Sequence, residues 1–421
     1  VRRRQWLHAA TAAAAAAAWP PARASTAAAP AAARFDPPFP RVMGMNIGAK
    51  NYHEPAYQEG LARYQVLVLD FYPGWRRGRS PDPIGEALRA IKARNPDILI
   101  GQYTVLADVP LQAADKVAKV DAENWWLRNS RGERLKPFPQ YDTNDANITE
   151  WAKPDAQGRR YPEWAVERDY RLFHEPYPEF GFWYLDNSTS RPLTERGDWD
   201  LDGRDEPNSD PRIARAWRAG HVRGWKRIRA LEPQALLMAN SDDISSPEYS
   251  GQLNGCFMEA LYGKPWSMSN FGGWDRVMSR YRATMRNALA PRLVGFGIAG
   301  APDDYRLMRM GLCSCLMDDG YFCFSTLEAQ QSSAPWFDEY DADLGRPLDP
   351  PPQQPWQGSV YRRRFERGLA LVNPSMLSST VDVGPGWRRL EGRQDREVND
   401  GRPASRLTIA GRDGLVLKRA D

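Results

Sequence analysis

Gly181-Phe182-Trp183-Tyr184-Leu185-Asp186-Asn187 is the stretch on which the fold turns. Its apolar and aromatic residues run without polar alternation, so both faces of the strand they form are buried, as in a parallel sheet covered by helices. Such a strand leaves only its C-terminal end open to chemistry, and here that end is a carboxylate followed by an amide. A second run, Gly255-Cys256-Phe257-Met258-Glu259-Ala260-Leu261-Tyr262, has the same form and also delivers one carboxylate.

Outward from these two runs, strand and helix signals alternate. Further strands are expected at 42–48, 65–72, 98–105, 235–240, 293–299 and 320–326. Helical spacing joins Ile84, Leu88 and Ile91 before the stop at Asn95-Pro96, and it recurs at Ile213, Trp217 and Ile228, at Trp274, Val277 and Tyr281, and at Tyr305, Met308 and Leu312. Eight strands with intervening helices make a (β/α)8 barrel, assigned to residues 41–345. Periodicity fails between Asp121 and Pro162, where a Trp-, Asn- and Gly-rich insertion carries Trp125, Trp126, Asp142 and Asn144; long loops in barrels build the rim of the mouth. Residues 346–358 are Pro-rich and read as a linker, and 359–421 break into short β runs with an Asp413-Gly414 turn, a small antiparallel β module.

The first residues read as an address. Arg3-Arg4 precedes an Ala-rich segment and Ala22-Arg23-Ala24, a small-x-small cleavage pattern, so 1–24 resembles a twin-arginine export signal and 25–40 a Pro/Ala-rich leader. An exported protein, periplasmic or extracellular, is expected. Nothing later approaches the roughly 18 consecutive apolar residues of a membrane span. With 57 Lys+Arg against 53 Asp+Glu, no electrostatic case for nucleic acid arises. The 16 Trp and 17 Tyr suit stacking on sugar rings, although most are expected in the core.

Asp186 and Glu259, each closing a barrel strand, supply the paired carboxylates that glycosidic-bond cleavage needs. Asp186 could instead cap the following helix; Glu is a poor cap, so that alternative weighs less at Glu259. Asp70, Gln102, Tyr103, Asn187 and Asn240 stand near strand ends as candidates for binding sugar hydroxyls, with a salt bridge as the competing role for Asp70. Trp75 and Trp266 are candidate stacking platforms. Asp198-Trp199-Asp200-Leu201-Asp202-Gly203 matches the first half of a calcium loop, but the twelfth position is Ser209 where a bidentate Glu is expected, so the stretch reads either as a calcium site through Asp198, Asp200 and Asp202 or as an acidic surface loop. The four cysteines read as buried thiols with a disulfide still open, and the histidines show no metal-ligand spacing. No cofactor is expected to be required, and a structural calcium at the Asp198 loop stays open.

From Met43 to Leu417 the sequence resembles the hypothetical glycosyl hydrolase families of bacterial secreted proteins. The stretches that carry this are Tyr184-Leu185-Asp186-Asn187, Gly197 to Gly203, Met258-Glu259, Asp318-Asp319-Gly320-Tyr321 and Arg364 to Pro374. It is also similar to the α-galactosidase clan and the polygalactosaminidase-like barrels. The resemblance implies a nucleophile after strand four, Asp186, and an acid/base after strand six, where this chain has Glu259 and the α-galactosidase clan typically has Asp. A retaining glycoside hydrolase acting on an extracellular or envelope polysaccharide is the expected function. The alternatives are a carbohydrate-binding barrel without activity and a Schiff-base lyase, for which Lys50 and Lys264 are the lysines near strand ends.

Overall fold

A computed structural model of the chain describes residues 35–75, 80–261, 273–326 and 331–420. The export signal assigned to 1–24, most of the leader, and Trp266 lie outside the described residues.

Eight strands, β1 (Met43–Asn46), β2 (Val66–Leu69), β3 (Leu99–Val105), β4 (Phe180–Asp186), β5 (Leu236–Asn240), β6 (Gly255–Met258), β7 (Gly295–Gly300) and β8 (Tyr321–Thr326), pair side by side in chain order, all parallel. A parallel bridge between Val42 and Phe322, with the Phe322 N–H donating to the Arg41 carbonyl at 2.8 Å, brings the last strand back to the first. This is the eight-stranded barrel expected from the sequence. Seven helices among the described residues cover it: α1 (Pro55–Leu61), α2 (Pro83–Arg94), α3 (Ala114–Ala122), α4 (Tyr161–Asp169), α5 (Pro211–Leu231), α6 (Trp274–Asn287) and α7 (Tyr305–Cys315). Their starts are written locally. Pro opens α2 and α5, where a missing N–H costs nothing, and Asp82, Asp210 and Asp304 accept hydrogen bonds from the first-turn N–H groups of Gly85, Arg212 and Leu307.

Side chains alternate between two packed layers, because successive Cβ atoms of a strand point to opposite faces. Met43, Met45, Val66, Val68, Phe182, Tyr184 and Met238 form a cluster inside the barrel, while Leu67, Leu69, Trp183, Leu185, Leu237 and Ala239 join the larger core beneath the helices. The inner layer is filled. A Cβ on Gly101 would lie 2.3 Å from the Phe182 ring, so β3 leaves a side chain out where β4 puts a large one in.

The C-terminal residues build a sheet in the order β9 (Tyr361–Arg364), β10 (Gly368–Asn373), β14 (Asp413–Arg419), β12 (Trp387–Arg389), beside a pair formed by β11 (Ser379–Asp382) and β13 (Arg406–Ile409), all antiparallel. The sheet lies against α7 closely enough that a Cβ on Gly414 would meet the Arg309 carbonyl at 2.4 Å. Arg309, 2% exposed, crosses this seam as a fork: Nε and Nη2 reach the two oxygens of Asp413 at 3.0 and 3.1 Å, and Nη1 reaches Asp395 at 2.6 Å. Arg363 crosses it from β9, donating to Asp319 at 2.7 Å and to the Leu316 carbonyl at 3.1 Å. All four cysteines are buried and unpaired, with burial pushing the Cys256 and Cys323 thiols up to about 12. No described helix is long and apolar enough to cross a membrane.

Arg309→Ala leaves Asp413 buried without its counter-charge, so chemical denaturation should show a loss of about 3–5 kcal/mol. A loss below about 1 kcal/mol, the scale of a solvent-screened surface pair, would mean that the seam does not depend on this residue.

Candidate active site

Strand parity decides which polar residues reach the barrel mouth. On β4, Phe182 and Tyr184 point inward, and Asp186, two further on, carries the same direction to the C-terminal rim. The same step of two takes Leu236 and Met238 to Asn240 on β5, Phe257 to Glu259 just past β6, and Leu99 to Tyr103 on β3. Four polar side chains from four neighbouring strands therefore converge above one apolar plug.

Their contacts are specific. Asn240 Nδ2 donates to Asp186 Oδ1 at 2.9 Å and to Glu259 Oε2 at 3.1 Å, so one amide group holds both carboxylates. The Tyr103 hydroxyl donates to the other Asp186 oxygen, and its ring stacks on Tyr184 at 5.8 Å between centroids. Burial raises the Asp186 carboxyl above its ordinary range, while the Tyr103 and Asn240 donors act the other way and favour the ionised form. Glu259 stands exposed in the mouth, and its second oxygen receives Gln331 Nε2 at 3.4 Å.

A pair of acids behind Asp186 gave no signal in the sequence. A short antiparallel ladder, 108–110 against 143–145, sets Asp108 opposite Asp145. Asp108 Oδ2 accepts from Asn187 Nδ2 at 2.7 Å, and the Thr194 hydroxyl donates to Asp145. Burial, and after it the Asp186 charge, push Asp108 up to about 6; burial, and after it Asp108, raise Asp145 well above the usual carboxylate range. Asn187, with φ 51° at the turn out of β4, thus faces this pair and not the mouth.

The remaining candidates divide. Asp70 forms an ion pair with Lys50 at 2.6 Å at the end of β2, the competing role weighed for it, and burial raises its carboxyl against that lysine. Gln102 differs from the expectation. Its parity turns it away from the mouth, and its amide is consumed by backbone, accepting from Phe71 N–H at 3.2 Å and donating to the Phe71 and Tyr103 carbonyls, both at 2.9 Å. Trp75 likewise is core: 1% exposed, packed edge-on against Phe71 at 5.0 Å, with Nε1 on the Lys50 carbonyl. In the acidic loop, Asp198 and Asp200 converge with Glu206, while Asp202 turns outward to accept the Arg204 N–H at 2.9 Å.

A parallel barrel of eight strands with two facing carboxylates at its C-terminal mouth is the layout of a glycoside hydrolase. Residues 182–369, from within β4 into β10, match the hypothetical glycosyl hydrolase family 15. Among solved structures, the chain is similar to the glycoside hydrolase domain of PelA from Pseudomonas aeruginosa, at 13% identity over 70% of this chain and 97% of that one, with a TM-score of 0.43. It is similar to an Anoxybacillus alpha-amylase at 9% identity over 90% and 98%, with a TM-score of 0.48. For the GH36 alpha-galactosidase AgaA from Geobacillus stearothermophilus the values are 11%, 91% and 56%, and 0.46. No curated protein matches.

The Asp108 environment has a thermodynamic consequence. The folded-state pKa, about 6, exceeds the unfolded value of about 3.9, so the folded chain binds more protons in between. The stabilisation from this group is then complete below about pH 4 and is lost as pH rises towards about 6. Urea unfolding across that window should show the decline, and Asp108→Asn should flatten it; an identical slope in the variant would show that another group titrates.

Proposed function

We propose that this protein is a retaining glycoside hydrolase in which Asp186 is the nucleophile and Glu259 the acid/base, acting on an extracellular or envelope polysaccharide. The observation that carries the reading is the shared amide of Asn240. Its two contacts, 2.9 and 3.1 Å, keep an oxygen of each carboxylate within about 6 Å of the other. Retaining pairs stand about 5–5.5 Å apart, and inverting pairs, which must admit a water, about 6.5–9.5 Å.

The surroundings support a division of labour. Asp186 receives two hydrogen bonds that stabilise its charge, yet it is largely removed from water, which keeps a carboxylate reactive. It attacks the anomeric carbon from one side. Glu259 has the more open position, protonates the leaving oxygen, and then takes a proton from the water that releases the glycosyl-enzyme. Asn240 spans the two and is placed to bind the hydroxyl beside the anomeric centre. Burial raises the Asp145 carboxyl behind Asp108 well above the usual range, which disfavours a further negative charge near Asp186.

Asp186→Asn should abolish turnover on every aryl glycoside in a panel. Glu259→Gln should retain hydrolysis of substrates with good leaving groups and be partly rescued by azide, since only the protonation step is lost. Tyr103→Phe removes a donor to the ionised form, so the acidic limb of kcat/KM should move to higher pH. Unchanged hydrolysis by Asp186→Asn would sink the proposal, and a folded wild-type protein that binds oligosaccharides without cleaving any would favour the inactive binding barrel instead.

Export belongs to the same proposal, on the strength of Arg3-Arg4 and Ala22-Arg23-Ala24. Secreted material should begin near residue 25 on N-terminal sequencing; a start within 1–20 would remove this part.

A further inference from the structure

The acidic loop after β4 carries an observation that hydrolysis does not use. A two-residue ladder pairs Gly197 with Glu206 and folds the chain between them into a closed loop. Leu201 and Gly203 turn it with positive φ, 63° and 85°. Within it, each of two aspartates spends one oxygen on the loop and its surroundings: Asp198 Oδ2 accepts the Gly203 N–H at 3.1 Å, and Asp200 Oδ2 accepts from Arg212 at 3.2 Å. Their other oxygens, Asp198 Oδ1 and Asp200 Oδ1, are sealed from solvent and accept no hydrogen bond; the same holds for Oε2 of Glu206, whose side chain is buried. Ligand oxygens of these three residues lie within 4.8 Å of one another.

An unpaired carboxylate oxygen out of water is costly, and three carboxylates gathered within 4.8 Å repel each other as well. The spacing removes the difficulty if a cation sits among them. Oxygens bound to calcium at 2.3–2.6 Å are at most about 4.6–5.2 Å apart, which fits the observed limit. We propose that Asp198, Asp200 and Glu206 bind a calcium ion at this loop. Counted from Asp198 the three fall at positions one, three and nine of a calcium loop; Asp202, at position five, is turned outward, and Ser209 replaces the twelfth-position Glu. With three carboxylates and no bidentate closing ligand, an affinity of about 10⁻⁴ to 10⁻³ M is expected, the range of extracellular calcium modules.

The ion would tie the rim together. Trp199, between two of the ligands, is fully buried against Leu127 and Ile213, and its carbonyl accepts from Asn147 at 2.8 Å and Thr149 at 3.3 Å. Holding 198–206 therefore holds the insertion after β3 to the start of α5.

Full-length protein, stripped with EDTA and dialysed, should show a saturable rise in Tm with calcium chloride and a midpoint near 0.1–1 mM on the scale of such modules. Terbium luminescence sensitised through Trp199 should appear in the same protein and be displaced by calcium. Glu206→Gln and Asp200→Asn should each weaken the response at least tenfold, and Asp202→Asn should leave it within about twofold. Absence of both a Tm shift and terbium luminescence in the folded wild type up to about 10 mM calcium, well past that affinity range, would overturn the site. An undiminished response in Glu206→Gln, or a response to magnesium and not to calcium, would overturn the assignment of ligands or of the ion. The wild-type luminescence decides the matter if the variants fail to fold.

Discussion

The structure depends on one steric constraint: every barrel residue must face either the filled interior or the helix layer, and the two choices alternate along each strand. The interior is plugged by Met43, Met45, Phe182, Tyr184 and Phe257, so no inward position below the rim is free for chemistry. Catalytic groups can stand only where an inward position coincides with a strand's C-terminal end. Asp186, Asn240, Tyr103 and Glu259 meet both conditions on four neighbouring strands, and hydrogen bonds join them in a row as a result.

Placing a carboxylate there sets up an electrostatic conflict. Burial of Asp186 disfavours its charge, and Asp108 is a second acid close enough for Asp186 to raise it. The chain meets the conflict with donors at each acid. Asp186 has the Tyr103 hydroxyl and the Asn240 amide and faces the mouth. Asp108 has the Asn187 amide, and Asp145, the most buried of the three, has the Thr194 hydroxyl and a carboxyl that burial raises well above the usual range. Asn187 is therefore better understood as the spacer that keeps two acids at a fixed relation than as a group that reaches sugar.

The sequence was legible where a single period ruled. All eight strands were expected within a few residues of their observed bounds, because a strand buried on both faces announces itself as an apolar run. Asp186 and Glu259 followed, since they terminate such runs. Side assignment was the part that failed to read. Gln102 and Tyr103 are adjacent, and an unbroken apolar run carries no alternation from which to tell which of them faces inward; the Phe182 ring filling the place of a Gly101 side chain sets the phase. Trp75, a candidate stacking platform by residue type, folds its ring back beside Phe71 and Tyr52.

What remained hidden was brought together by pairing between segments far apart in sequence. Asp108 and Asp145 are thirty-seven positions apart and meet only because a three-residue ladder closes the aperiodic insertion onto the end of β3. Glu206 enters the acidic loop through a shorter-range pairing, with Gly197 nine positions before it, whereas the first half of the calcium-loop pattern pointed to Asp202. These two ladders are linked: Thr194, just before the second, donates to Asp145 in the first. The rim is therefore a connected frame, in which the segment leading into the acidic loop carries the hydroxyl that holds Asp145 behind Asp108 and Asp186. Thr194 holds Asp145, Asp145 stands opposite Asp108 in the ladder, and Asp108 accepts from Asn187, so the position of that segment bears on the turn that presents Asp186.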